Sequence, residues 1–145
     1  MLVRDIMTSP AVTIHAADTV VEAARVLERR SLTSLPVVDG DCRLLGIISE
    51  SDVIGRLPAP GECADGLRRR ADATLVSDVM THRVVTAAAD DDLAGVIALM
   101  SGTALKSVPV ILNGRVAGMV SRRDIVRAMV HADLDARSTD ELSRA

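Results

Sequence analysis

The chain has 145 residues and a formal net charge of −3, and it contains no Phe, Tyr or Trp. With 48% hydrophobic and 26% charged residues, it has the composition of a globular protein with an aliphatic core. The absence of aromatic stacking platforms and of net positive charge argues against a nucleic-acid ligand. This length favours one compact unit or two small halves.

The composition gives no sign of catalytic residues, of a metal site or of a membrane span. The cysteines and histidines fit no metal-ligand or redox spacing; they are Cys42, Cys63, His15, His82 and His131. There is no nucleophile motif and no Gly-rich phosphate loop. No apolar run approaches the length of a membrane span, and no secretory signal is visible. The sequence therefore predicts a cytoplasmic protein with reduced thiols, in which the basic run at 68–70 is the solvated face of a connecting segment.

One stretch of the chain occurs twice. Residues 46–52 read GIISESD, and residues 118–124 read GMVSRRD. In both, an apolar, strand-like run leads to a Ser and, three positions later, to an Asp at the start of a helix. Such a Ser accepts a backbone N–H, the acid complements the helix dipole, and the helix start leaves N–H donors that can receive an anion. One copy alone is commonly just a capping box, whereas two copies at matching places favour a pair of sites.

The remainder of the chain repeats in the same way. The opening VRDIMT at 3–8 returns as VSDVMT at 76–81. Asp18 and Asp91 each open an amphipathic helix. The other predicted elements also occur as matched pairs in chain order: strands 11–14 and 84–87, helices with the apolar stripes Val20, Ala23, Ala24, Leu27 and Leu93, Val96, Ile97, Met100, strands 34–38 and 107–111, turns 39–41 and 113–114, strands 44–48 and 116–120, and helices from 51 to about 55 and from 122 to about 136.

This order predicts an α/β (α+β) fold made of two β-α-β-β-α units. The first unit covers residues 1–56 and the second 76–136, with a linker at 57–75, including a helical turn over 66–73, and a flexible polar tail at 137–145. A unit of about 60 residues buries only about 60% of its extended-chain surface and is marginal alone. We therefore expect the two units to pack sheet to sheet about a pseudo-twofold axis.

Three repeated features together resemble a known family. The openings D-[IV]-M-T, the strands S-[LV]-P-V and the ends G-h-h-S-x-x-D, each present in both halves, are similar to those of a tandem pair of cystathionine-β-synthase (CBS) domains, or Bateman module, over essentially the whole chain. The resemblance implies a regulatory module without catalytic activity. It also implies clefts between the halves that bind an adenine nucleotide (AMP, ADP or ATP), and an unidentified protein partner.

The resemblance further implies which residues contact the ligand. Asp52 and Asp124 match a carboxylate that accepts hydrogen bonds from two adjacent ribose hydroxyls. Ser49 and Ser121 match a hydroxyl near the ribose and the phosphate. The family often has a second hydroxyl directly before the Asp, as at Ser51.

The second copy departs from that pattern, because Arg123 stands where the first copy has Ser51. Arg123 either reaches a phosphate or points into solvent. Lys106 replaces Thr33 of the first half, and it is either a phosphate contact or a solvated side chain.

Each cleft is expected to mix the two halves. The cleft of Asp124 combines Val12, Leu32, Thr33 and Met119, and that of Asp52 combines Val85, Leu105, Lys106 and Ile47. In this arrangement the backbone of Val12 or Val85 reads the adenine edge, and aliphatic side chains cover its faces. Each aliphatic residue taken singly is also consistent with ordinary core packing.

Two functions remain open at this point. The chain is an adenosine-ligand sensor, or it is a ligand-free dimerisation or scaffold module that has kept the fold. A carboxylate at both strand ends favours the sensor. In either case apolar helix faces that include Met100 and Met129 are expected to be exposed in a single chain, which predicts a homodimer.

Overall fold

A computed structural model describes residues 1–61 and 72–144 of the chain. Within these residues, each half contains one three-stranded sheet covered by helices. The first half comprises β1 (Ile14–His15), α1 (Val20–Arg30), β2 (Ser34–Val38), β3 (Leu44–Ser49) and α2 (Glu50–Ile54). A short helix α3 (Val76–Val79) then precedes β4 (Ala87–Ala88), α4 (Leu93–Ser101), β5 (Ser107–Leu112), β6 (Arg115–Ser121) and α5 (Arg122–Arg144). The predicted pair of β-α-β-β-α units is confirmed.

The two sheets have the same topology. In each, the short first strand runs parallel to the middle strand, and the middle strand runs antiparallel to the last. The register pairs Ser34 with Ser49 in one sheet and Ser107 with Ser121 in the other. Each pair of serines therefore lies at the end of its sheet where the closing helix begins.

The hairpin turns follow from their residues. Asn113 and Gly114 both have positive φ, 53° and 76°, as a two-residue turn with the right twist for a hairpin requires. In the other hairpin the Asp39 carboxylate accepts hydrogen bonds from the backbone N–H groups of Asp41 at 2.9 Å and Arg43 at 3.0 Å. The bond from Arg43 lowers the pKa of Asp39.

Several boundaries differ from the prediction. Strands β1 and β4 begin only at Ile14 and Ala87, the last residues of the stretches expected to be extended. Asp18 and Asp91 do not begin the helices, because their carboxylates accept the N–H of His15 and Ala88 and close the preceding turns. Thr19 and Asp92 cap the helices instead.

Helix α5 is longer than predicted, because it continues to Arg144 through residues for which a flexible tail was expected. No Gly or Pro follows Arg122, so nothing in the local sequence stops the helix. Cys63, the run at 68–70 and residues 66–71 of the expected helical turn lie outside the described residues. In the part of the chain that the structure describes, no helix has the length and apolar character needed to cross a membrane.

The apolar stripes face the cores as predicted. A separate expectation, that Met100 lies on an exposed helix face, does not hold. Met100 is only 5% exposed and belongs to the core of the second half, so its predicted place on an exposed face is wrong. It lies seven residues after the buried Leu93 and therefore faces the same direction. Met129, by contrast, is 50% exposed.

The openings of the two units are exchanged between the halves. Val3 is fully buried in the core of the second half, and Val76 is fully buried in the core of the first. Val3 N–H donates to Asp91 O at 2.9 Å, and Val76 N–H donates to Asp18 O at 2.8 Å. Each repeat in the sequence therefore completes the core of the other one.

The end of each opening lies directly on the last strand of the opposite half. Thr8 and Met119 exchange two backbone hydrogen bonds, of 2.8 and 3.0 Å, as do Thr81 and Ile47. A Cβ at Gly118 would lie 2.7 Å from the Met7 sulfur and from Thr8 O.

The same close approach occurs in the other half. A Cβ at Gly46 would lie 2.7 Å from the Met80 sulfur and from Thr81 O. The glycine in each repeated end is therefore required by the Met-Thr opening that crosses over it.

Replacing either of these glycines should weaken the fold. Gly46→Ala or Gly118→Ala places a methyl group against backbone, and we expect a loss of about 1–3 kcal/mol in the free energy of unfolding. Gly95→Ala is the control, since nothing lies within 4 Å of its added Cβ and the change should stabilise α4 by roughly 0.5–1 kcal/mol. Urea denaturation measures all three; a neutral Gly118→Ala contradicts the crossing.

Candidate functional site

Each repeated Ser-x-x-Asp end lines a cleft to which both halves contribute, and the larger of these two clefts contains Asp52. This Asp52 cleft has a volume of about 430 Å³. The first half contributes Thr33, Ser34, Ile47, Ser49, Glu50, Ser51, Asp52 and Ile54, and the second contributes Thr81, Ala104, Leu105, Lys106 and Ser107. The cleft thus combines hydroxyls, two carboxylates, one ammonium group and a few aliphatic side chains.

The second cleft, the Asp124 cleft, is much smaller. Its volume is about 100 Å³, and it is lined by Thr8, Ala11, Val12, Leu32, Thr33, Ser34, Ser107, Met119, Ser121 and Asp124. Ligand pockets for drug-sized molecules are typically about 300–1,000 Å³. The Asp52 cleft falls in this range, and the Asp124 cleft in this conformation does not.

The Asp52 carboxylate is only partly engaged. Its Oδ2 accepts the Ser49 N–H at 2.8 Å and the Ser49 hydroxyl at 3.0 Å. The Ser49 and Ser51 hydroxyls lie 2.9 Å apart. Oδ1 has no hydrogen bond to any residue that the structure describes. One carboxylate oxygen, beside two hydroxyls, is thus free to accept a hydrogen bond in the larger cleft.

The Asp124 carboxylate is already satisfied by the protein. Its Oδ2 accepts the Ser121 N–H at 2.8 Å, and the Thr8 hydroxyl lies 3.3 Å from Oδ1 and 3.5 Å from Oδ2. Arg127 is 3.9 Å away, and Asp124 is only 8% exposed. In this cleft the repeated Asp is held mainly as a structural group.

The starts of the two closing helices are less available to an anion than predicted. Ser121 and Asp124 form the expected reciprocal capping box, because the Asp124 N–H also donates to the Ser121 hydroxyl at 3.2 Å. However, the first N–H of each helix is used internally. That of Glu50 donates to Thr33 O at 3.0 Å, and that of Arg122 donates to Lys106 O at 3.1 Å.

The two clefts share a wall on the pseudo-twofold axis. The hydroxyls of Ser34 and Ser107 lie 2.6 Å apart and are hydrogen-bonded. Both serines, together with Thr33, line both clefts. The S-[LV]-P-V repeat marked these serines in the sequence, but it did not reveal that they meet.

Most residues singled out from the sequence line one of these clefts. The Asp52 cleft brings together Ile47, Ser49, Ser51, Asp52, Leu105 and Lys106, and the Asp124 cleft brings together Val12, Leu32, Thr33, Met119, Ser121 and Asp124. Val85 and Arg123 line neither cleft and are exposed. Val85 lies before β4, which begins only at Ala87. Arg123 lies in the first turn of α5 and is exposed to solvent.

Besides Ser34 and Ser107, sequence reasoning missed three polar lining residues, Thr8, Thr81 and Glu50. Thr8 and Thr81 occupy equivalent positions in the Asp124 and Asp52 clefts, and their signal was the repeated D-[IV]-M-T opening. Glu50 also lines the Asp52 cleft. Lys106 there faces a cleft that contains two carboxylates, those of Glu50 and Asp52.

Comparison with known proteins finds the same organisation. The family model for the CBS domain matches residues 3–59 and 76–131. The L-aspartate semialdehyde sulfurtransferase of Methanocaldococcus jannaschii is 32% identical over 127 residues, which cover 87% of this chain and 23% of the enzyme. The chain thus spans less than a quarter of that relative's length.

Two solved structures share the fold. The CBS domain pair of protein MJ0100, in complex with 5′-methylthioadenosine and S-adenosyl-L-methionine, has a TM-score of 0.74 and 30% identity, and the match covers 91% of this chain and 98% of that one. CBSX2 from Arabidopsis thaliana, in complex with AMP, has a TM-score of 0.76 at 24% identity, with coverage of 91% and 98%. The second likeness shows the fold alone.

The different surroundings of the two aspartates should be measurable. Thr8→Val removes a hydroxyl that serves a buried carboxylate, and we expect it to lower the free energy of unfolding by about 1 kcal/mol. Thr81→Val is the matched control, since Thr81 makes no hydrogen bond to Asp52 within the described residues, and it should change stability by less than half as much. Equal effects of the two variants in urea denaturation would contradict the asymmetry.

Proposed function

The chain belongs to the CBS domain family, as a tandem pair of CBS domains, and from this premise we propose that it is a regulatory module that binds an adenosine-containing ligand in the Asp52 cleft. The observation that carries the proposal is the free Oδ1 of Asp52 in a cavity of about 430 Å³. A ribose presents two neighbouring hydroxyl donors, and a carboxylate can accept both. The Ser49 and Ser51 hydroxyls stand beside it.

The rest of the Asp52 cleft suits the other parts of such a ligand. Ile47 and Leu105 are half-buried aliphatic residues from opposite halves, and they offer apolar contact to the two faces of a purine. Lys106 provides a positive charge for a 5′ phosphate. The complex of MJ0100 with 5′-methylthioadenosine and S-adenosyl-L-methionine supports the adenosine class.

We assign the ligand to one cleft per chain. The small volume of the Asp124 cleft and the hydrogen bonds already made by the Asp124 carboxylate favour a structural role for that cleft. The ligand-free scaffold role would then apply to the Asp124 cleft only. Within the adenosine class we propose an adenine nucleotide such as AMP, ADP or ATP. We also propose that the chain forms a homodimer and transmits ligand binding to a protein partner.

Removing the charge of Asp52 should weaken binding. A hydrogen bond to a charged group contributes about 1.5–3 kcal/mol, so Asp52→Asn should raise the dissociation constant for AMP by roughly tenfold to a hundredfold. Asp124→Asn is the matched variant and should change it by less than about threefold. Isothermal titration calorimetry also gives the stoichiometry, which we expect to be one ligand per chain. Equal losses in the two variants would contradict the assignment to one cleft.

Lys106 should distinguish phosphorylated from unphosphorylated ligands. Lys106→Thr, which installs the residue of the first half, should weaken AMP several-fold, by up to about 1 kcal/mol, and leave adenosine nearly unchanged. The loss for AMP should shrink as salt rises, because added ions screen the exposed charge. Equal weakening of adenosine and AMP would show that the change acts on the fold, and no change in either would place Lys106 outside the site.

A further inference from the structure

The loop at 102–106, between α4 and β5, forms part of the wall of the Asp52 cleft. Its residues Leu105 and Lys106 both line that cleft from the second half. Leu105 is half-buried, and the rest of the loop is exposed. Because so little of the loop is buried, the position of these two lining residues depends strongly on the hydrogen bonds that hold it.

Arg122, the first residue of α5, makes three of those hydrogen bonds. Its side-chain Nε donates to Leu105 O at 2.8 Å, and its Nη2 donates to Thr103 O at 3.3 Å. Its backbone N–H donates to Lys106 O at 3.1 Å. We call these three bonds the Arg122 clamp. An arginine suits this place, because its guanidinium is a rigid fork of donors and because the C-terminal end of α4 nearby favours a cation.

The first half has only the backbone part of this arrangement. Glu50 occupies the position equivalent to Arg122, and its N–H donates to Thr33 O at 3.0 Å. An ionised carboxylate has no hydrogen to donate to a carbonyl group, so Glu50 cannot make the two side-chain bonds. The side-chain clamp therefore belongs to the loop that lines the larger cleft.

We propose that Arg122 is a positioning residue for ligand binding, which fixes Leu105 and Lys106 at the wall of the Asp52 cleft. Arg122 is not among the described residues that line that cleft, so it acts through the loop. The inference rests on the proposed function, in which Leu105 contacts the purine and Lys106 the phosphate. Arg122 then affects the binding of the whole nucleotide, whereas Lys106 affects the phosphate alone.

The state of the loop can be measured without any ligand. Lys106 is the only lysine in the chain, so a lysine-specific endoprotease cuts the chain only there and reports local opening of the loop. Arg122→Met removes the side-chain bonds and should raise the rate of this cut at least about fivefold. Arg122→Lys, which keeps the charge and a shorter reach to the carbonyls, should give an intermediate rate.

Arg123→Met is the matched control. It removes the same charge one residue further along α5, and Arg123 donates to no carbonyl of the loop within the described residues. It should be cut at the rate of the parent chain. Gly46→Ala, which should lower the free energy of unfolding, controls for global destabilisation. It should be cut more slowly than Arg122→Met even where urea denaturation shows it to be the less stable of the two.

Calorimetry with adenosine and AMP measures the effect on binding. Arg122→Met should weaken both ligands by roughly threefold to tenfold, whereas Lys106→Thr should weaken AMP alone. When the two changes are combined, the loss for AMP should be smaller than the product of the single losses, because both changes act through Lys106. Arg123→Met should bind both ligands as the parent chain does.

Each outcome has a separate meaning. An unchanged cut in Arg122→Met, or cut rates that simply follow the unfolding free energies, would overturn the clamp. Faster cutting with unchanged affinity for adenosine would overturn the positioning of Leu105, and fully multiplicative losses for AMP would overturn the action through Lys106. A parent chain that binds neither ligand would overturn the proposed function and the positioning role with it, while the protease still decides the clamp.

Discussion

The close crossing of each opening over the last strand of the other half is the constraint on which the structure depends. Met7 and Thr8 cross β6 at Gly118, and Met80 and Thr81 cross β3 at Gly46, and neither position has room for a side chain. Only glycine fits there, because a Cβ would stand 2.7 Å from backbone oxygen. The crossing joins the halves in both directions: it carries Val3 and Val76 into opposite cores and places Thr8 and Thr81 at the clefts. Neither unit has a complete core without the other, which is consistent with the marginal stability of units this small.

The symmetric backbone supports two clefts that differ in chemistry. In one, the threonine of the crossing segment satisfies Asp124, and only about 100 Å³ of space is left. In the other, the equivalent Thr81 makes no hydrogen bond to Asp52 within the described residues, and the cleft volume is about four times as large, 430 Å³. The same repeated motif thus has its carboxylate engaged by both halves in one copy and, in the part of the chain that the structure describes, only by its own serine in the other. The Ser34–Ser107 hydrogen bond forms the wall between them.

Helix α5 connects this interior to the surface. Its first turn contains Asp124, which closes the smaller cleft, and the opposite side of the same helix carries Val126 and Val130. The inner side of this helix is held by Thr8 and Ser121, which donate hydrogen bonds to the Asp124 carboxylate. Helix α5 therefore links the smaller cleft to an exposed apolar surface.

The sequence by itself determined the repeat, the order of the elements, the apolar stripes, the Asn-Gly turn and most of the residues that line the clefts. The repeat, the element order, the stripes and the turn depend on periodicity and turn chemistry, which act between neighbours in the chain, whereas the cleft residues were inferred from the resemblance to CBS domains. Only the tertiary structure decided that the openings exchange halves, that Thr8 engages Asp124, that Ser34 meets Ser107, and that Val85 and Arg123 stand outside the clefts. Each of these depends on distances between segments from different halves of the chain, and such distances are set by packing, which local sequence does not encode.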